Sequence, residues 1–194
     1  MSSTNRSNAR SNHAEDYYVT PVSSIIDFLN EFNKYENVFY KDIHILDPCA
    51  GGDIKHPMSY PKALKNIGIN PDNISTIDIR SDSLAKVKTD YLKYNCRNKF
   101  DVIITNPPFS IARDIIEKSL DDVKDDGFVI MLLRLNYFGG KLRKDMWDKH
   151  MPKYSFVHHR RMSFRDDGKT DSIEYQHVVW QKGYYPEFTK LKVI

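Results

Sequence analysis

"DVIITNPPFS", residues 101–110, decides the reading of this chain. Val102, Ile103 and Ile104 are β-branched, and with Thr105 they predict a buried strand. The strand then meets Asn106-Pro107-Pro108-Phe109. Neither proline has an N–H to give to a ladder, so the strand must stop there. It stops with a polar amide and an aromatic ring at its carboxyl end.

Outward from this strand the chain alternates strands and helices. Upstream, "DIHILD" (42–47), "ISTIDI" (74–79) and a weak element within 82–92 predict three strands. Downstream, "GFVIMLLRL" (127–135) reads as a central strand because its apolar run is continuous. "YSFVHHR" (154–160) and "IEYQHVVWQK" (173–182) predict two late strands. Helices are expected from Thr20 onward, with Thr20 as N-cap and Pro21 at the first helical position, and at 59–67, 110–123 and 141–150. A further short helix is expected within 82–92. The pattern implies an α/β fold: a mostly parallel, seven-stranded sheet with helices on both faces and a C-terminal antiparallel hairpin.

Composition bounds the rest. The chain has 194 residues, enough for one sizeable core. The Ser/Asn-rich residues 1–15 are expected to be a disordered polar tail, and 16–194 a single domain. No apolar run is long enough to span a bilayer, and no apolar stretch marks a secretory leader. With two cysteines, Cys49 and Cys96, there is no disulfide framework, which points to a reducing, cytoplasmic setting and no membrane partner. No Cys/His spacing suits a metal. The net charge is +3, yet residues 139–170 hold nine Lys/Arg against four Asp/Glu, a local +5 that leaves −2 for the remainder. Arg160 and Arg161 sit at the centre of that segment. A basic patch with interleaved aromatics is what a phosphate backbone attracts, although charge runs also serve simply as solvated surface.

In open parallel sheets, ligands bind beyond the carboxyl ends of the strands, at the switch in strand order. Three strand ends here carry chemistry. "ILDPCAGGD" (45–53) offers Asp47 and a turn through Cys49, Ala50, Gly51 and Gly52. It lacks the Lys-Ser/Thr of a phosphate loop and the spacing of a dinucleotide fingerprint. Asp78, about 30 residues past Asp47, is where nucleoside-binding βαβ units place the carboxylate that accepts ribose hydroxyls. Asp90, followed by Tyr91, is a third acidic residue near a strand end and suits an adenine amino group. Each carboxylate alone is as well explained by a cap or a surface. Three of them beside a glycine turn point to a small-molecule site.

Asn106-Pro107-Pro108-Phe109 adds a second constellation. The Asn106 side-chain oxygen and the Pro107 carbonyl are two acceptors that suit the two donors of a planar NH2 group. Accepting both draws the nitrogen out of conjugation and frees its lone pair. Phe109 offers a stacking face worth roughly 1–3 kcal/mol to a base.

On these motifs the chain resembles the S-adenosylmethionine-dependent amino-methyltransferases, above all the DNA adenine-N6 enzymes and their small phage or mobile-element members. The likeness covers about residues 17–182. Asn106-Pro107-Pro108-Phe109 matches the family's catalytic (N/D)PP(Y/F/W) tetrapeptide, and Asp47-Pro48-Cys49-Ala50-Gly51-Gly52 its cofactor loop. Tyr17-Tyr18-Val19-Thr20-Pro21 resembles the N-terminal motif that lies against the cofactor's methionine part. "TDSIEYQHVVWQKG" (170–183) resembles a closing hairpin. One departure is Asp53, which stands where the family loop usually has its second glycine. The resemblance implies a Rossmann-like class I methyltransferase with S-adenosylmethionine as cofactor, held by Tyr18, Thr20, Pro21, Asp47, Cys49, Ala50, Gly51, Gly52, Asp78, Asp90, Tyr91 and Asn106. It implies that Asn106, Pro107, Pro108 and Phe109 are catalytic and that no metal takes part. The target nitrogen must line up behind the sulfonium methyl, within about 3–3.5 Å.

The implied substrate is adenine in DNA, flipped onto Phe109. A second aromatic is expected on its other face, with Phe164 first and Tyr137 or Phe138 as alternatives. Tyr137, Phe164, Arg160 and Arg161 complete the expected substrate site. No separate target-recognition domain is expected, so selectivity falls to short insertions, a specificity partner or a homo-oligomer. RNA bases, cytosine N4 and glutamine amides present the same NH2 chemistry, with RNA the leading alternative. A different class is a non-catalytic subunit that binds cofactor or nucleic acid. The role implied is protection of DNA from restriction in a bacterial or phage-infected cytoplasm.

Overall fold

The computed structural model describes residues 18–40, 42–164, 168, 170 and 172–194. The expected polar tail and Tyr17 lie outside the described residues. Eight strands form one sheet: β1 (Ile45–Asp47), β2 (Ile74–Asp78), β3 (Val87–Lys88), β4 (Phe100–Thr105), β5 (Val123–Arg134), β6 (Tyr154–Val157), β7 (Tyr175–Gln181) and β8 (Lys190–Val193). Their spatial order is β3-β2-β1-β4-β5-β7-β6-β8. The pairs from β3 through β5 are parallel, β7 runs antiparallel to β5 and to β6, and β8 runs parallel to β6.

Four helices cover the faces: α1 (Val22–Glu36), α2 (Ser59–Asn66), α3 (Ala112–Asp122) and α4 (Lys144–Lys149). Ile25, Phe28, Leu29 and Phe32 of α1 fall at helical spacing and are completely buried. With Tyr60, Ala63 and Leu64 of α2 they close one face of the sheet, and α3 and α4 close the other. Side chains of β4 and β5 alternate between the two cores. Val102, Ile104, Phe128 and Ile130 join the α1/α2 side, while Ile103, Val129 and Met131 join the α3/α4 side. That two-sided burial is why the apolar run at 127–135 is unbroken. Each such side chain contributes roughly 1.5–3 kcal/mol on full burial.

The differences from expectation have local causes. Among the described residues the sheet has eight strands, not seven. β8, "KLKV", is an edge strand with all four residues exposed, so no buried stripe marks it in the sequence. β1 is shorter than 42–47, because the Asp101 carboxylate takes the His44 N–H at 2.9 Å. No helix forms within 82–92. There, Leu84 and Lys86 give their N–H groups to the Gly51 carbonyl and the Thr76 hydroxyl, and only a 3-10 turn, Tyr91–Lys93, follows. β5 starts at Val123, which pairs back with Phe100 across an irregularity in register. The segment expected to be helical at 141–150 opens as a 3-10 turn before α4. No described helix is long and apolar enough to cross a membrane.

The chain runs from β1 outward through β2 to β3, then returns to β4 on the other side of β1. The carboxyl ends of β1 and β4 therefore flank the switch in strand order, where a crevice opens.

Candidate active site

β4 delivers Asn106 to that crevice with a defined orientation. The Asn106 Nδ2 donates to the Thr20 hydroxyl oxygen at 3.1 Å. Its Oδ1 is buried and has no hydrogen-bond partner. Thr20 is itself buried, and its hydroxyl is engaged by Asn106 rather than by the helix. The expected N-cap is thus corrected: α1 begins at Val22, with Pro21 in the cap position and no side-chain cap bond.

β1 delivers the second part. Asp47 is completely buried, its Oδ1 accepts the Cys49 N–H at 3.3 Å, and its Oδ2 has no partner. Burial, reinforced by the nearby charge of Asp78, pushes its carboxyl up to about 7. The nearby Thr105 hydroxyl acts in the opposite direction. Burial and the charge of Asp47 push the Cys49 thiol upward, so Cys49 is not poised as a thiolate.

The turn that follows is locked to β2. Asp78 Oδ2 accepts the Gly51 N–H at 2.7 Å and Oδ1 accepts the Arg80 N–H at 2.8 Å. Gly52, at φ +76°, has no room for a Cβ, which would come within 2.7 Å of Met58 Cγ. Asp53, the departure from the family pattern, has a definite task. Its Oδ1 accepts the N–H groups of Lys55 and His56 at 2.7 and 2.8 Å and closes a turn that the second glycine need not make. At the end of β3, Asp90 caps the 3-10 turn by accepting the Leu92 N–H at 3.0 Å.

These ends border an open cleft. Tyr18, Thr20, Cys49, Ala50, Asp78 and Asp90 line it, together with Tyr91, Asn106, Pro107 and Pro108. Asp47, Gly51 and Gly52 do not line it; they are buried behind the wall they shape. Pro21 borders a neighbouring groove that shares Thr20 and Ser59 with the cleft. Tyr91 presents its ring, since its hydroxyl is turned to Ser119 at 3.3 Å. Ser59, Tyr60 and Arg80 also line the cleft and were not expected from the motifs. Tyr60 is held from behind: its hydroxyl lies 3.0 Å from His177 Nε2, and His177 Nδ1 lies 2.8 Å from His158 Nε2. His177 is fully buried and stacks on Phe28 at 4.1 Å.

Beyond Pro108 lies an aromatic cluster. Tyr18 meets Phe109 at 6.5 Å and Phe164 at 5.9 Å, and Tyr175 meets the same two rings at 6.1 and 4.8 Å. The Arg134 guanidinium sits 4.5 Å above the Phe109 ring. Tyr175 and Arg134 were not legible as site residues, because they meet only through the register that sets them opposite each other on β7 and β5.

The other expected substrate residues lie elsewhere. Tyr137 is buried on the α3/α4 side, against Trp147 and under Arg143, and Phe138 packs on Trp147 as well. Arg161 is tied to Glu174 at 2.9 Å. Arg160 borders a groove with Lys34 and Lys192. No group of three His, Cys, Asp or Glu side chains among the described residues could hold a metal.

No family model matches the sequence, and no curated protein matches it significantly. Solved structures do resemble its fold. A Pyrococcus horikoshii protein proposed to be an RNA methyltransferase superposes with a TM-score of 0.65 at 14% identity, over 88% of this chain and 89% of that one. A proposed class I S-adenosylmethionine-dependent methyltransferase from Listeria monocytogenes gives 0.62 at 14%, over 91% and 65%. The type IIG restriction endonuclease BpuSI gives 0.61 at 14%, over 91% of this chain and 27% of that enzyme. The chain thus spans just under two thirds of the Listeria protein and about a quarter of BpuSI. Two carboxylates, Asp78 and Asp90, and an asparagine-tipped strand line the cleft, with Asp47 and the glycine turn buried behind its wall; that set fits a nucleoside cofactor carrying hydroxyl and amino groups. The protein has the Rossmann-like fold seen in these methyltransferase structures.

Proposed function

We propose that the protein transfers a methyl group from S-adenosylmethionine to the N6 amino group of adenine in DNA. The single observation that carries the reading is the Asn106 amide. Its nitrogen is committed to Thr20, and its oxygen is a buried acceptor with nothing to accept. A buried acceptor left open in this way carries a desolvation cost that a donor-bearing ligand relieves. An amino group supplies that donor.

When bound, S-adenosylmethionine supplies the methyl group on an activated sulfonium. Asp78 and Asp90 accept from the hydroxyl and amino groups of the cofactor's nucleoside, and ionised Asp47 complements its ammonium. Asn106 Oδ1 and the Pro107 carbonyl accept the two N–H bonds of the target and stabilise the positive charge that grows on its nitrogen. Phe109 receives the flat heterocycle.

RNA is the second reading. The Pyrococcus protein, whose length this chain nearly matches, is proposed to act on RNA, whereas BpuSI is a DNA enzyme much larger than this chain. Labelled methyl transfer to genomic DNA, total RNA and cell protein, run beside Asn106→Ala, tests both. N6-methyladenine in DNA, with turnover lowered roughly 10²–10³-fold in the variant, is the expected result. Label confined to RNA moves the substrate and keeps the chemistry. Near-full activity of Asn106→Ala ends the amino-activation mechanism.

A further inference from the structure

One cation beside the cleft has no partner of its own kind. Arg134 ends β5, opposite Tyr175 of β7. Its guanidinium carbon lies 4.5 Å from the centroid of Phe109. The guanidinium makes no ion pair and no hydrogen bond with the described residues, and its Nε is buried and unsatisfied. Other arginines of this protein are neutralised: Arg113 by Asp145 and Glu117, Arg161 by Glu174, and Arg80 by Asp82. Beside Arg134 lie instead the Phe109 ring and, across the strand pair, Tyr175. A cation so placed without a carboxylate gains the attraction of the ring alone. Its Nε is unfilled, as the acceptor on Asn106 is unfilled.

The two open groups are complementary to different atoms of one ligand. Asn106 Oδ1 accepts; Arg134 can only donate. A planar amino group on a heteroaromatic carbon presents both needs side by side: donors on the nitrogen and, in adenine, acceptor ring nitrogens N1 and N7 on either side. The guanidinium also rests, at stacking distance, on the ring expected to receive that heterocycle.

We propose that Arg134 is a specificity-determining residue, whose guanidinium yields the Phe109 face to the incoming heterocycle and donates to a ring nitrogen flanking its amino group. The proposal rests on the amino-methyltransferase reading above. It adds that an amino group is accepted only when an acceptor lies beside it.

The test pairs Arg134→Gln with altered substrates. Random-sequence oligonucleotide duplexes are made with adenine, 1-deazaadenine or 7-deazaadenine at every adenine position, and methyl transfer is measured for each. On natural adenine, Arg134→Gln should lower kcat/KM roughly 10- to 100-fold, the range for losing a charged hydrogen bond, with stabilisation by S-adenosylhomocysteine unchanged. On one of the two deaza duplexes, the unaltered protein should fall by a similar factor and Arg134→Gln should add little. An equal fold-loss from Arg134→Gln on all three duplexes, or no loss on any, overturns the proposal while leaving the amino-methyltransferase reading intact. Absence of methyl transfer by the unaltered protein to natural adenine overturns both.

Discussion

Thr20 and Asn106, 86 residues apart in the chain, hold each other through one hydrogen bond of 3.1 Å. The bond holds the Asn106 Nδ2 at Thr20 and leaves Oδ1 as the end without a partner. Thr20→Val keeps the shape and removes the hydroxyl. Turnover is expected to fall about tenfold, by the loss of one neutral hydrogen bond that positions another group. Thr20→Ser should restore most of it. The check is kcat and KM for both variants: a loss in kcat with KM for cofactor unmoved supports positioning, and a loss that serine does not rescue points to packing alone.

The Thr20–Asn106 bond also shows where sequence reading stops. The strand ending in Asn106-Pro107-Pro108-Phe109, the glycine turn after β1 and the acidic residues near strand ends all announce themselves, because each is written in one contiguous stretch. Helix α1 does too, through its spacing of Ile25, Phe28, Leu29 and Phe32. Thr20 reads locally as an N-cap, since no local signal says that its hydroxyl is engaged 86 residues away. Tyr175 and Arg134 stay invisible for the same reason: strand register brings them to Phe109. Tyr137 looks like a site aromatic from its place after β5, yet the chain turns there and buries it against Trp147.

Gly52 and Asp53 shape the turn after β1 in different ways, one by its backbone conformation and one by its side-chain acceptor. Gly52→Ala puts a Cβ at φ +76° and 2.7 Å from Met58 Cγ, with the Met58 backbone N only 3.2 Å away. Strain of this kind costs about 1–3 kcal/mol, so the denaturation midpoint should drop. Asp53→Gly removes the acceptor of two backbone N–H groups. It should cost about 1 kcal/mol and should not tighten S-adenosylhomocysteine binding. Tighter binding on calorimetry would mean that Asp53 impairs the loop rather than completing it.

On the proposed function, Asp47 is expected to link cofactor binding to pH. Its carboxyl titrates at about 7 in the fold, against 3.8 as the ordinary value. Between these values the folded state carries the extra proton, so the stability this group contributes is present below about pH 4 and is lost as pH rises through 7. A cationic ammonium at the site favours the ionised form. Affinity for S-adenosylhomocysteine is therefore expected to rise from pH 6 to pH 8, with proton release on binding near pH 6. Asp47→Asn should flatten both dependences. Calorimetry in buffers of different ionisation enthalpy reads the released proton directly, and a pH-independent affinity in the unaltered protein would sink the assignment.

The paired histidines behind Tyr60 work in the opposite sense. Burial, with a smaller contribution from His159, pushes His158 down to about 4, and burial, with a smaller contribution from His158, pushes His177 well below its usual range. The unfolded chain binds these protons near pH 6.5 and the fold does not, so their contribution is present above 6.5 and lost as pH falls toward 4. His177→Phe removes one of the two titrations but leaves the Tyr60 hydroxyl and His158 without their partners. It should cost about 1–3 kcal/mol at pH 7.5 and lose part of the acid-side slope. Asp47→Asn should steepen that slope, because the compensating carboxyl is gone. Denaturant unfolding of the two variants and their combination, at pH 5 and pH 7.5, separates the terms. If the histidines stay neutral inside the fold, His177→Phe must be less sensitive to acid than the unaltered protein. Greater sensitivity would mean that a protonated His177 is accommodated and that the Tyr60–His177–His158 chain carries a charge.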